Sequence, residues 1–214
     1  MKSIIPTLAL FATGVSPVTP NTFSLLTSQT LAVAVPEDKG WYIRRAEDMH
    51  LEDLPIVDLE VTDERFEGMT FTGTAESIVK EMKELKPELF ANDTDASPES
   101  SLEKRQGSFN CGWYNGVNDR VPQWMNCIEG VGYLQDLGTA WCGVNGSPAC
   151  ARVSCSRQCG IFLCNKLGHH LQVHCGDIAG DVNAIASNCM DSVGRFSGAR
   201  DFSSHFIGVR RQSC

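Results

Sequence analysis

All ten cysteines of this 214-residue chain fall in its second half: Cys111, Cys127, Cys142, Cys150, Cys155, Cys159, Cys164, Cys175, Cys189 and Cys214. An even number of thiols concentrated in so short a stretch points to pairing, because disulfides persist where the compartment is oxidising. No Cys-x-x-Cys spacing of the kind that suits zinc occurs among them. The expectation is therefore five disulfides, no free thiol, no metal and no cofactor. Ten cysteines allow about 945 pairings, so spacing alone leaves the connectivity open.

Charge divides the chain at the same place. Residues 106–214 carry eight Lys/Arg against seven acids, while residues 1–105 carry ten against nineteen. The boundary is Leu102-Glu103-Lys104-Arg105, ahead of Gln106. A dibasic pair there, behind the polar, aromatic-free run Asn92 to Ser101, reads as a processing site for a subtilisin-like protease of the secretory pathway. Met1 and Lys2 open a short basic region, and Ile4 to Val15 is apolar apart from Pro6 and Thr7. That core is too short to anchor the chain in a bilayer but suits a signal peptide. Three segments follow: residues 1–16 as signal peptide, with an end between 14 and 34; residues 17–105 as an acidic pro-segment; and residues 106–214 as a cysteine-rich product. No later stretch is apolar enough for a transmembrane anchor.

Within the acidic segment, Leu54 to Val61 alternates like a strand. Thr74 then caps an amphipathic helix through Ile78, Val79, Met82, Leu85 and Leu89. Such an element masks the product, chaperones its oxidation, or merely solubilises it. In the product, a short strand is expected from Phe109 to Tyr114. Asp119 caps a helix whose stripe is Val121, Trp124, Met125, Ile128, Val131, Leu134 and Leu137, stopped by Gly138. Residues 151–164 read as a hairpin with the three-residue loop Ser156-Arg157-Gln158, setting Cys155 opposite Cys159 and Cys150 opposite Cys164. Directly opposed cysteines make strained bridges, so most of these four are expected to reach the helices instead. Arg152, Ser154 and Phe162 take one face, and Ala151, Val153, Ile161 and Leu163 the other. A second helix starts near Asp177, and two strands lie around Phe196 and His205–Val209. The expected fold class is α+β, a disulfide-rich α/β sandwich of two helices on an antiparallel sheet of about four strands, in the order α-β-β-α-β-β.

Catalytic groups are sparse. His170 and His174 would stand about 13 Å apart along a strand, with His169 adjoining, which is poor metal geometry. Asp201, Ser203, Ser204 and His205 are near neighbours, unlike a triad assembled from separate segments. The best enzyme reading is a small ribonuclease using Glu129, the one glutamate after Arg105, with His174 or His205 and a phosphate-binding arginine. A net of +1 argues against nucleic acid as a partner. Arg195, Arg200, Arg210 and Arg211 form a basic patch if the last two strands pair, and this is the candidate binding surface. Asn92 and Asn145 begin N-glycosylation sequons.

A signal peptide, an acidic segment ending in Leu-x-Lys-Arg and a cysteine-rich product of about a hundred residues resemble fungal secreted effectors matured by a kexin-type protease. Ala149-Cys150-Ala151-Arg152-Val153-Ser154-Cys155-Ser156, Ile161 to Asn165, and Phe206-Ile207-Gly208-Val209 before Cys214 look like a family of fungal small secreted proteins. The helix–hairpin–helix–hairpin order is similar to smut-fungus killer toxins and to necrosis-inducing extracellular effectors. Cys159 departs from the pattern by standing where a polar loop residue is expected. The resemblance implies an extracellular monomer that binds a host or competitor target, with no catalytic residues to carry over. The alternatives are the ribonuclease and a wall-associated structural protein.

Overall fold

The computed structural model describes residues 45–49, 51–91, 106–111, 119–146 and 148–214. All of them fall in one compact unit, Trp41–Cys214. It is mixed α+β. A six-stranded sheet is built on the expected hairpin, β6 (Ala149–Ser156) and β7 (Cys159–Asn165). To it are added β1 (Ile56–Val57), β4 (Ser108–Asn110), β9 (Gly198–Asp201) and β10 (His205–Arg211), in the order β1-β6-β7-β10-β9-β4. A four-stranded sheet holds β2 (Leu59–Thr62), β3 (Thr70–Gly73), β5 (Trp141–Val144) and β8 (Leu171–His174), in the order β3-β2-β5-β8. Three helices accompany them: α1 (Ala75–Leu85), α2 (Ile128–Leu137) and α3 (Cys175–Cys189).

The larger departure from expectation is that residues 45–91 are woven through both sheets. The alternating run after Leu54 breaks at Asp58 into two strands that serve different sheets. Ile56 and Val57 pair parallel with Cys150 and Ala151. Leu59 to Thr62 sit in the middle of the second sheet, antiparallel to β3 on one side and β5 on the other. The expected four-strand sandwich is thus corrected to sheets of six and four strands. Part of the count comes from the acidic segment. The rest comes from β5, four residues long and too short to declare a period by itself, and from β8, whose strand character at residues 170–174 was expected without a place in the sheet. One core encloses apolar side chains from both halves: Leu59, Val61, Ile78 and Met82 from before Lys104, and Leu134, Ile161, Ile178 and Val182 from after it. Each is fully buried.

The Thr74 cap is a capping box. The Thr74 side chain accepts from the backbone of Ser77, and Ser77 Oγ accepts from Thr74 N at 3.0 Å. The helix expected to be capped by Asp119 has Cys127 as its cap, eight residues later. Val121 instead exchanges two backbone hydrogen bonds with Phe196, Pro122 follows, and Trp124–Asn126 is a single 3-10 turn. That long-range bridge outweighs local helix periodicity, since each partner satisfies the other's backbone. Phe196 itself therefore lies in the bridge, with β9 beginning two residues later. The second helix starts at Cys175, two residues early.

The hairpin is corrected in its second half. Cys150 does face Cys164, but the register shifts by one between Arg152 and Ser154, leaving Val153 as a bulge. Ser156 then pairs with Cys159, and Cys155 with Gly160. The loop shrinks to Arg157-Gln158, both with positive φ (45° and 71°), the signature of a type I′ turn. The bulge also turns Ser154 inward, where it is fully buried.

Five disulfides use all ten cysteines: Cys111–Cys189, Cys127–Cys159, Cys142–Cys175, Cys150–Cys164 and Cys155–Cys214. Cys159 reaches the residue preceding α2, as expected of an extra cross-link between hairpin and helix. Cys150–Cys164, by contrast, is a directly opposed cross-strand bridge. Cys155 reaches the chain end at Cys214, and Cys111 and Cys142 tie β4 and β5 to the two ends of α3.

Candidate functional site

The residue types that suggested chemistry are dispersed over the fold. Glu129, on the exposed first turn of α2, lies 3.5 Å from Arg157 Nε of the hairpin turn. His174 stacks on Trp141 with ring centroids 3.9 Å apart, and its Nδ1 lies 2.9 Å from the Thr139 carbonyl oxygen. His170 Nε2 lies 3.7 Å from a carboxylate oxygen of Glu60 in β2. His169 contributes its carbonyl oxygen to Asn165 Nδ2 at 2.7 Å. His205 is buried, stacked on Phe202 at 4.6 Å, with Ser204 Oγ 2.9 Å from its Nδ1. Glu129, His174, His205 and the adjacent His169 and His170 thus make separate contacts. Among the described residues, no group of three or more His, Cys, Asp or Glu is placed to hold a metal ion.

The four C-terminal arginines do not make one patch, although β9 and β10 pair as the patch required. Arg200 is not a surface group. Its Nη1 donates to Asp181 Oδ1 at 2.8 Å, both side chains are buried, and the guanidinium lies 5.4 Å from the ring centroids of Phe109 and of Phe202. That pair fastens β9 to α3. Arg195 closes a turn: its backbone N–H and that of Val193 donate to Asp191 Oδ1, and its Nε donates to Asp191 Oδ2 at 3.0 Å. The backbone hydrogen bond from Arg195, joined by those from Val193 and the Arg195 side chain, holds the Asp191 carboxyl at about 2, against its ordinary 3.8. Arg120 Nη1 donates to the same carboxylate at 3.0 Å. Arg211 is exposed and donates to Gln158 Oε1 at 2.8 Å.

Arg210 belongs elsewhere, in a groove of about 440 Å³ on the outer face of the six-stranded sheet. Three strands build its floor. The sheet register places Arg152 of β6 opposite Phe162 of β7, and Phe162 opposite Gly208 of β10. Arg210 lies one row on, opposite Gly160. A Cβ at Gly160 would come within 2.9 Å of the Phe162 ring and 2.7 Å of Gln212, so only glycine lets these side chains lie across the strand. Arg210 stands 5.7 Å over the Phe162 ring and donates to Gln212 Oε1 at 3.0 Å. Arg152 is exposed. The opposite wall comes from the cysteine-free half of the chain: Leu51, Leu54, Ile56 and Asp58. Two guanidiniums and an exposed isoleucine suit an anionic group carried on an apolar surface, the Phe162 ring lying buried beneath them.

Arg152 was not among the expected binding residues, although its alternation with Val153 placed it on the Phe162 face. Glu76, in the first turn of α1, carries no such signal. One of its carboxylate oxygens accepts from Ser154 Oγ and from Cys155 N, the latter at 3.1 Å. Nothing in a helical stripe announces a partner 78 residues away. Asn145 is exposed at the end of β5, its Nδ2 donating to Glu60. Lys104, Arg105 and Asn92 lie outside the described residues. No protein-family model, curated protein or solved structure matches this chain.

Proposed function

We propose that this chain is a secreted, disulfide-locked binding protein of the fungal effector or toxin type, cut after Arg105 by a kexin-type protease and acting on a host or competitor cell. The observation that carries the reading is the pairing of all ten cysteines in five disulfides, which favours an oxidising, extracellular setting. Among the described residues no helix is long and apolar enough to cross a membrane. The groove between Arg152 and Arg210, beside the exposed Ile56, is the surface we assign to target binding, since interface energy concentrates in a few anchors among which arginine is prominent.

The test is the double reversal Arg152→Glu/Arg210→Glu in a cell-death or growth-inhibition assay, with circular dichroism confirming the fold. It should weaken activity at least tenfold, while His170→Ala, His174→Ala, His205→Ala and Glu129→Gln each stay within a few-fold. A hundredfold loss from one of those four, with the fold intact, would move a ribonuclease to the front. Retention on purified wall polysaccharide without any cellular effect would favour a structural role.

A further inference from the structure

Because every cysteine lies at or beyond position 111, no disulfide can join residues 45–91 to residues 106–214. The two are nonetheless interlocked at three places: the outer face of the six-stranded sheet, its β6 edge, and the four-stranded sheet with the helices. On the outer face, Ala46, Met49 and Leu51 are buried against Phe162, Ala199, Phe206 and the Cys150–Cys164 bridge. Ala46 N donates to Asp201 Oδ2 at 3.0 Å. At the edge itself, β1 extends β6, and Cys150 N donates to the Pro55 carbonyl at 3.0 Å. On the inner face, Glu60, Val61 and Thr62 pair with Gly143, Cys142 and Trp141, and Glu76 takes the hydrogen bonds of Ser154 and Cys155. Lys83 Nζ reaches Asp136 Oδ2 of α2 at 2.8 Å. These contacts hold the outer face of the sheet as far as β9, its β6 edge, and β5 and α2 on the other side, so the segment leaves only if all three sets open together.

Resting on the processing reading above, we propose that cleavage after Arg105 does not release the segment. Hydrolysis adds one water across the Arg105–Gln106 amide, leaving an Arg105 carboxylate and a Gln106 amine. The product is then a non-covalent heterodimer in which residues 45–91 are a strand-donating subunit seated on residues 106–214. The small subunit is more than a leader. It supplies one wall of the Arg152–Arg210 groove, through Leu51, Leu54 and Ile56, so target binding requires both chains.

The experiment takes the full chain, uncut, and treats it with a dibasic-specific protease. A denaturing, non-reducing gel reads the cut, and native mass spectrometry with size exclusion reads the association. The expected result is two polypeptides on the gel and one 1:1 species in native conditions, one water heavier than the uncut chain. A second protein, with an unrelated protease sequence replacing Leu102-Glu103-Lys104-Arg105, separates the two ideas. If only this variant can be cut, the processing reading fails, yet retention is still measured. Elution of the N-terminal fragment apart from residues 106–214 in either protein would overturn the heterodimer. Glu76→Ala should speed loss of the small chain at least tenfold on dilution, and Glu81→Ala, at an exposed site on the same helix, should not. Equal rates for the two variants would overturn the assigned interface.

Discussion

Replacing Leu59 by alanine asks whether a residue that precedes every cysteine carries the stability of a disulfide-rich fold. Leu59 is fully buried in β2, opposite Gly73 of β3, within the same cluster as Leu134 and Ile161. Burying a leucine is worth about 1.5–3 kcal/mol. Truncation to alanine also leaves a cavity, and together these cost about 2–5 kcal/mol, so about 3 kcal/mol is expected. For a unit of this size each kcal/mol lowers Tm by about 2–4 °C, which gives a fall of about 6–12 °C. In urea, with a slope of about 2 kcal/mol/M, the midpoint should drop by about 1.5 M. The assay is tryptophan fluorescence of the uncut protein, Trp124 and Trp141 both lying within the fold. The control is Glu81→Ala, exposed on α1, which should stay within about 0.5 kcal/mol. If Leu59→Ala proves as mild as the control, residues 45–91 contribute nothing to the core, and the folded unit is 106–214 alone.

Gly130→Ala should destabilise by about 1–2 kcal/mol in the same unfolding assay, because its Cβ would stand 2.2 Å from Ser154 Oγ and overpacking outweighs the gain in helix propensity of up to about 1 kcal/mol. Gly132→Ala, one residue away from Val131 on the open side with nothing within 4 Å, should instead stabilise by up to about 1 kcal/mol. Cys214→Ser opens a link between residues 59 apart and frees the chain end after β10, so the loss should be about 2–4 kcal/mol, read by denaturation with intact mass confirming four disulfides. Asp191 has its folded pKa depressed from 3.8 to about 2, so it contributes stability that is complete above pH 3.8 and lost as pH falls toward about 2. Asp191→Asn should flatten thermal stability over that pH range, and an unchanged slope would count against the turn at Arg195.

Composition and local pattern were enough to establish that all the thiols pair, that the fold is α+β, and that Ile78, Val79 and Met82 of α1 and Ile161 and Leu163 of β7 face the core, although Leu85 of the same helical stripe is half exposed and Leu89 lies past the end of α1. Those conclusions rest on short-range physics: thiol chemistry in an even set, a period of 3.6 or 2, and caps at Thr74 and Gly138. The strand at Leu54–Val61 was legible for the same reason, but its division at Asp58 between two sheets was not. What only the tertiary structure decided was partnership. The bulge at Val153 depends on Ser154 finding Glu76 across the core, and the late start of α2 depends on Val121 finding Phe196. The dispersal of the four arginines depends on Asp181 and Asp191 pairing with Arg200 and Arg195. A charge run written along a sequence carries no record of which acid will face it. Nor does an acidic, cysteine-free stretch record that its few apolar residues will complete another segment's sheet, because hydrogen-bond complementarity at a sheet edge is a property of two backbones brought together and of neither alone.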